Sequence, residues 1–192
     1  MEEITIKAYK ASELPTEVRE KVCEHYHDIV LEIDTEWDSP IIEGIREELS
    51  LYGLEDVDVR WTGFYSQGDG LSFTSDTIDT DLLIRKLYET GHDISENTVI
   101  ETKNMHAFMG RIHSHYVHEK TVSFGVNYEG DDNIGIVHLT DVLNSWKDSL
   151  CRQFYNRLEN YYLQLVSMES VLETLDENGF IFTQSGKRIF TQ

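Results

Sequence analysis

Proline is nearly missing from this 192-residue chain, which holds only Pro15 and Pro40. With no low-complexity tract either, nothing resembles a linker, and the length predicts a single domain. Cysteine is as scarce. Cys23 and Cys151 fall in separate helical patterns on apolar-leaning sides, so we read both as buried thiols rather than as a disulfide or a nucleophile. No apolar run reaches the length of a membrane span. The opening Met-Glu-Glu-Ile-Thr-Ile lacks the basic and apolar parts of a signal peptide. A soluble protein of a reducing compartment is expected. Basic residues are the largest deficit: 16 Lys and Arg face 36 Asp and Glu, a formal charge of −20.

That charge is uneven. Residues 1–60 hold 17 acids and 6 bases, a net of −11, whereas residues 139–192 hold 7 and 5, a net of −2. Such a field repels nucleic acid and anionic membranes at long range. It either solvates one face or attracts a basic patch on a partner. Hydrophobic residues make up 40% of the chain, enough for a folded core.

Periodicity gives the organisation. Ile4–Ile6 reads as a short strand. Pro15 opens a helix whose stripe runs Val18, Val22, Tyr26, Ile29, Val30 and Ile33, and Pro40 opens a second with Ile42, Ile45, Leu49 and Tyr52, stopped at Gly53. Val57, Val59 and Trp61 alternate as one strand face. A third helix follows Asp79-Thr80 and ends at Gly91. Residues 98–128 change to a period of two, with strands through Val99–Met109, Ile112–His118 and Val122–Tyr128, closed by the turn Glu129–Asn133; Ile134–His138 reads as a further short strand. Thr140 caps the longest helix, whose stripe runs from Val142 to Leu165. A short helix follows Ser167, and Phe180–Phe182 with Arg188–Phe190 reads as a closing hairpin. The expected architecture is α+β: one antiparallel sheet with helices packed over one face, a long C-terminal helix and a closing hairpin.

Two stretches carry candidate chemistry. The first is the reversal Tyr65, Ser66, Gln67, Gly68, Asp69 and Gly70, which gathers polar side chains at one hairpin tip. Its glycines supply the positive φ of a tight turn and let backbone N–H groups converge as an anion nest, which Asp69 opposes. It is no Walker loop, calcium loop or nucleophile elbow. The second is His113-Ser-His115-Tyr-Val-His118-Glu119. His113 and His115 would share a strand face, a two-imidazole start to a metal site that Glu119 would complete if the chain bends at Val117. The spacing is similar to half of the cupin metal motif, but Ala107 stands where that motif needs glycine. Arg111 and Lys120 are the only cations near it, a poor clamp for a phosphoester.

The run Gly63-Phe-Tyr-Ser-Gln-Gly-Asp-Gly70, followed by Phe73, resembles the signature SGF-x-SQGDGA-x-F of an uncharacterised family in bacteriophages and prophages. Some of its members are labelled "antitoxin of toxin–antitoxin stability system". His115–Val122, Arg152–Tyr162 and Asn178–Lys187 are similar to further elements of that family, so the likeness runs from about residue 15 to the C-terminus. Leu71 replaces the usual Ala, Trp61-Thr62 precede Gly63, and Ser75 stands where a glycine often follows. The resemblance implies a phage protein working in the bacterial host cytoplasm, binding and neutralising a protein.

Three functions from different classes follow. The first is an antitoxin-like or anti-defence binder that grips a host or rival protein with a basic surface, without cofactor, catalytic residue, membrane or direct nucleic-acid contact. The second is a metal-assisted hydrolase or phosphoesterase on His113, His115 and Glu119. The third is a module that holds a small polar ligand at Ser66–Gly70 through Tyr65, Gln67 and Asp69. Neither the partner nor the oligomeric state is legible in the residues.

Overall fold

The computed structural model describes residues 7–112, 115–129 and 134–190. The strand expected at Ile4–Ile6, His113 and most of the Glu129–Asn133 turn therefore lie outside the described residues.

The elements run α1 (Thr16–His25), α2 (Ile29–Ile33), α3 (Ser39–Ser50), β1 (Leu54–Thr62), β2 (Gly70–Ile78), α4 (Thr80–Glu89), α5 (Glu96–Ile100), β3 (Met105–Arg111), β4 (Val122–Tyr128), α6 (Ile134–Leu165), α7 (Met168–Glu177), β5 (Ile181–Phe182) and β6 (Arg188–Ile189). The fold is α+β, with its strands shared among three two-stranded antiparallel ladders, β1–β2, β3–β4 and β5–β6. Among the described residues no helix is long and apolar enough to cross a membrane.

Four expectations change. The strand expected over Ile112–His118 is not formed among the described residues: β3 ends at Arg111, and His118 caps a short helical turn at Glu119–Thr121 by accepting the Lys120 N–H. The helix expected to run past Val30 breaks after His25. Tyr26 leaves helical geometry because its ring packs edge-on against Phe180 and Phe182, with centroids 5.7 and 6.0 Å away. Val99 lies in a helical turn rather than a strand, since the Ser95 hydroxyl accepts from the Thr98 N–H at 3.1 Å and caps α5. Ile134–His138 is helical, and α6 starts six residues ahead of Thr140. Leu139 and Leu143, one turn apart, both reach the core, so a single apolar stripe continues through the expected boundary.

The chain divides into two compact units. The larger, Asp38–Glu159, packs α3, both long hairpins, α4 and the first part of α6 around Leu49, Leu54, Phe73, Leu83, Leu87 and Phe154, all fully buried. Asp79 caps α4 through the Leu82 N–H at 3.0 Å. Gly53 has φ +77°, and a side chain there would sit 2.9 Å from the Asp79 Cβ, so glycine lets α3 and α4 meet. The smaller unit joins residues 1–37 to residues 160–192. Its core holds Leu14, Val22, Ile29, Val171, Leu175 and Phe182. Tyr9 and Phe182 exchange backbone hydrogen bonds at 2.9 and 2.8 Å, and the Asp176 carboxylate accepts from the Ala11 N–H at 2.7 Å.

Candidate functional site

The hairpin tip comes first. The β1–β2 register ends at Thr62 opposite Gly70, leaving residues 63–69 to make the reversal. Asp69 turns back into it: one carboxylate oxygen accepts from the N–H groups of Tyr65 at 3.1 Å and Ser66 at 2.7 Å. The converging N–H groups that would welcome an external anion thus already hold the chain's own carboxylate. Gly68 (φ +95°) lies under the Tyr116 ring, where a Cβ would approach Cδ1 to 2.1 Å, and Gly70 lies under His118. Tyr155 donates its hydroxyl to the Gly63 carbonyl at 2.7 Å. Phe64 stacks on Trp61 at 5.4 Å and leans on Tyr155 at 5.5 Å. Burial pushes the Tyr155 hydroxyl above its ordinary pKa, and the negative charge of Asp69 adds to this. Of the six predicted residues, Gly68, Asp69 and Gly70 build the turn, while Tyr65, Ser66 and Gln67 face solvent, Tyr65 at 75%.

The histidine stretch is spread differently. His115 is exposed, and His118 accepts through Nδ1 from the Lys120 N–H at 3.1 Å. Glu119 faces the Arg152 guanidinium at 3.4 Å. Among the described residues no group of three His, Cys, Asp or Glu side chains is placed to share a metal. The two local cations are both engaged, Lys120 with Asp148 and Arg111 with Ser72 at 2.8 Å and Asp58 at 3.6 Å. Burial lowers the pKa of Arg111, and the neighbouring Arg60 charge acts the same way.

Lys147 is a residue that sequence reasoning missed. Its side chain is 2% exposed in the middle of the larger unit, where it ion-pairs with Asp148 at 2.8 Å. Its ammonium also donates to the carbonyls of Glu119, at 2.5 Å, and Val122. That clamps the start of β4 to α6. The signal was there: position 147 falls on the stripe of Leu143, Trp146, Leu150 and Phe154, where a lysine needs buried partners.

A groove between α3 and β1 gathers the acids that the sequence only counted. Two adjoining hollows of about 470 and 560 Å³ share Glu43 and Arg46. Among the described residues their walls carry the carboxylates of Asp38, Glu43, Glu47, Glu55 and Asp56 against one cation, Arg46. Arg46 is neutralised in place by Glu43 at 3.2 Å and donates to the Val57 carbonyl at 3.3 Å. Trp61 lines one end, its indole N–H donating to Asp38 at 2.7 Å. Asp56 has φ +51° and is the only described non-glycine residue with a left-handed backbone, so a carboxylate is held at this wall in a costly conformation.

No curated protein and no solved structure matches the chain. A family profile does, over residues 20–168. That span takes in the acidic groove, the hairpin tip and the Lys147 clamp, and covers more than half of the sequence. The chain belongs to the family described as Domain of unknown function (DUF8835).

Proposed function

We propose that this protein is a binder that captures a Lys- and Arg-rich segment of a partner protein in the groove between α3 and β1, and thereby neutralises the partner. The groove itself carries the reading: five carboxylates converge on a trough whose one cation is already paired. A cationic segment entering it would meet complementary potential along its length, which speeds encounter and fixes register. Trp61 closes one end of the trough, its indole N–H held by Asp38. The exposed tip of Tyr65, Ser66 and Gln67 supplies a second contact patch on the same unit. The likeness to a phage and prophage family with antitoxin-labelled members makes the partner a host or rival factor in the bacterial cytoplasm. Phosphoester chemistry is less well supported, since Arg111 and Lys120 are both engaged within the fold.

The test is a pair of binding measurements on the wild type and on a Glu43→Gln, Glu47→Gln, Asp56→Asn variant. A fluorescent lysine-rich peptide and a host lysate are the two analytes. The wild type retains the peptide and a basic protein at low salt. The variant loses both while keeping its circular dichroism spectrum. Equal retention by the two proteins rejects the groove as the capture site.

A further inference from the structure

In the larger unit most Lys and Arg side chains are neutralised by a neighbouring carboxylate. Arg46 pairs with Glu43, Arg60 with Asp58, Arg85 with Asp81, Arg152 with Glu119 and Arg157 with Glu48. In the smaller unit one cleft gathers cations. It measures about 360 Å³ and lies between α1 and the β5–β6 hairpin. Lys21, His25, Lys187 and Arg188 line it together with Tyr26 and Phe190, and among the described residues no Asp or Glu does. The sequence of this unit has 14 acids and 6 bases, and half of its lysines and arginines meet in this one hollow. Among the described residues the side chains of Lys21, Lys187 and Arg188 meet no carboxylate.

The geometry follows from two local features. Val18, Lys21, Val22 and His25 recur at i, i+3, i+4 and i+7, so α1 presents them on one face. Gly186, with φ +84°, lets the hairpin close onto that face: a Cβ there would lie 2.8 Å from Val18 and 3.1 Å from Val22. The turn is tied by the Gly186 N–H to the Thr183 carbonyl at 2.9 Å and by the Thr183 N–H to the Lys187 carbonyl at 2.8 Å. Arg188 lies between two rings, its guanidinium carbon 3.6 Å from the Phe180 centroid and 4.8 Å from that of Phe190. Stacking fixes the guanidinium plane and leaves its edge to donate.

We infer that this cleft binds a small phosphorylated ligand carrying a flat ring, in class a nucleoside monophosphate. Lys21, Lys187 and Arg188 hold the phosphate through charge-assisted hydrogen bonds. Phe190, 76% exposed, stacks on the ring. The volume sits at the small end of the range for ligand sites. A polymer is disfavoured, because a nucleic acid would feel the whole −20 at long range while a mononucleotide feels chiefly the local cations. This site shares no residue with the acidic groove, so either assignment can fail without the other.

Isothermal titration of the whole protein with AMP and GMP tests it, with adenosine, inorganic phosphate and a short single-stranded DNA as comparators. The mononucleotide binds more tightly than inorganic phosphate, adenosine or the DNA. Lys21→Gln and Lys187→Gln, both exposed positions that leave the fold intact by circular dichroism, each weaken it about tenfold. No heat at millimolar mononucleotide overturns the inference. So does inorganic phosphate or the DNA binding as well as the mononucleotide, or unchanged affinity in both variants.

Discussion

Lys147 and Asp148 put two charges almost out of reach of water, at 2% and 11% side-chain exposure. Removing Lys147 leaves Asp148 to Lys120 alone and strands the carbonyls of Glu119 and Val122, so Lys147→Met is expected to cost about 3–5 kcal/mol in urea unfolding. An effect within experimental error would show that the clamp on Glu119 and Val122 is dispensable. Burial alone would raise the Asp148 carboxyl, but the hydrogen bonds and charges of Lys120 and Lys147 outweigh it and hold the group below its ordinary value. A carboxyl depressed in the folded state adds stability that is complete above its unfolded pKa, about 3.9, and is lost as pH falls through the lower folded value. Unfolding free energy should therefore drop below about pH 4 in the wild type. Asp148→Asn, less stable at neutral pH, should lack that part of the slope. Cys151 supplies a chemical check at the same scale. Burial pushes its thiol up to about 12, despite the nearby Lys147 charge, and Cys23 is raised chiefly by burial as well. Neither thiol should react with Ellman's reagent until the protein is denatured; release of one equivalent from the native protein would refute this.

Among the elements, what the residues announced was local. Asp79 before α4, Ser167 before α7 and Gly53 after α3 act through bonds to residues three or four positions away or through their own φ, so the sequence displayed them. The β1–β2 hairpin was legible for the same reason. The break at Tyr26 was not, because Phe180 and Phe182 cause it from more than 150 positions away. Nor could the cationic cleft be read, since Lys21 and Lys187 meet only after folding. The acids of the groove were counted, but that Glu43 and Glu47 on α3 would face Glu55 and Asp56 on β1 depended on packing. At the hairpin tip the glycines were recognised as turn residues, while the ring seated on one of them was not. Gly68 and Gly91 separate the two effects. Both have positive φ, +95° and +85°, but nothing lies within 4 Å of a Cβ at Gly91, whereas Tyr116 blocks one at Gly68. Alanine at Gly91 should cost about 1–2 kcal/mol, the left-handed penalty alone. Gly68→Ala should cost measurably more and redden or broaden the tyrosine signal as Tyr116 leaves its seat. Equal losses in denaturant melts would mean that Tyr116 moves aside freely.

At the scale of the whole molecule, one quantity acts on folding and on recognition with opposite sign. A charge of −20 on 192 residues makes the compact state repel itself, and the repulsion is strongest where acids crowd, as at Glu43, Glu47, Glu55 and Asp56 along the groove. Salt shortens the range of that field, from a Debye length of about 30 Å at 0.01 M to about 10 Å at 0.1 M. The fold should accordingly gain stability as sodium chloride rises from low to moderate concentration, and Tm should climb. Capture of a basic partner draws on the same field as attraction, so its association rate should fall over the same titration. Hydrophobic contact at the groove would leave the rate flat, and charges already balanced by their neighbours would leave Tm flat. The two readouts on one salt series therefore ask whether the acids are only a solvating coat. If they are, Tm responds and partner binding does not; if the groove grips a cationic segment, the two curves move in opposite directions. The Glu43→Gln, Glu47→Gln, Asp56→Asn variant should then show a higher Tm than the wild type at low salt and a much weaker salt dependence of association.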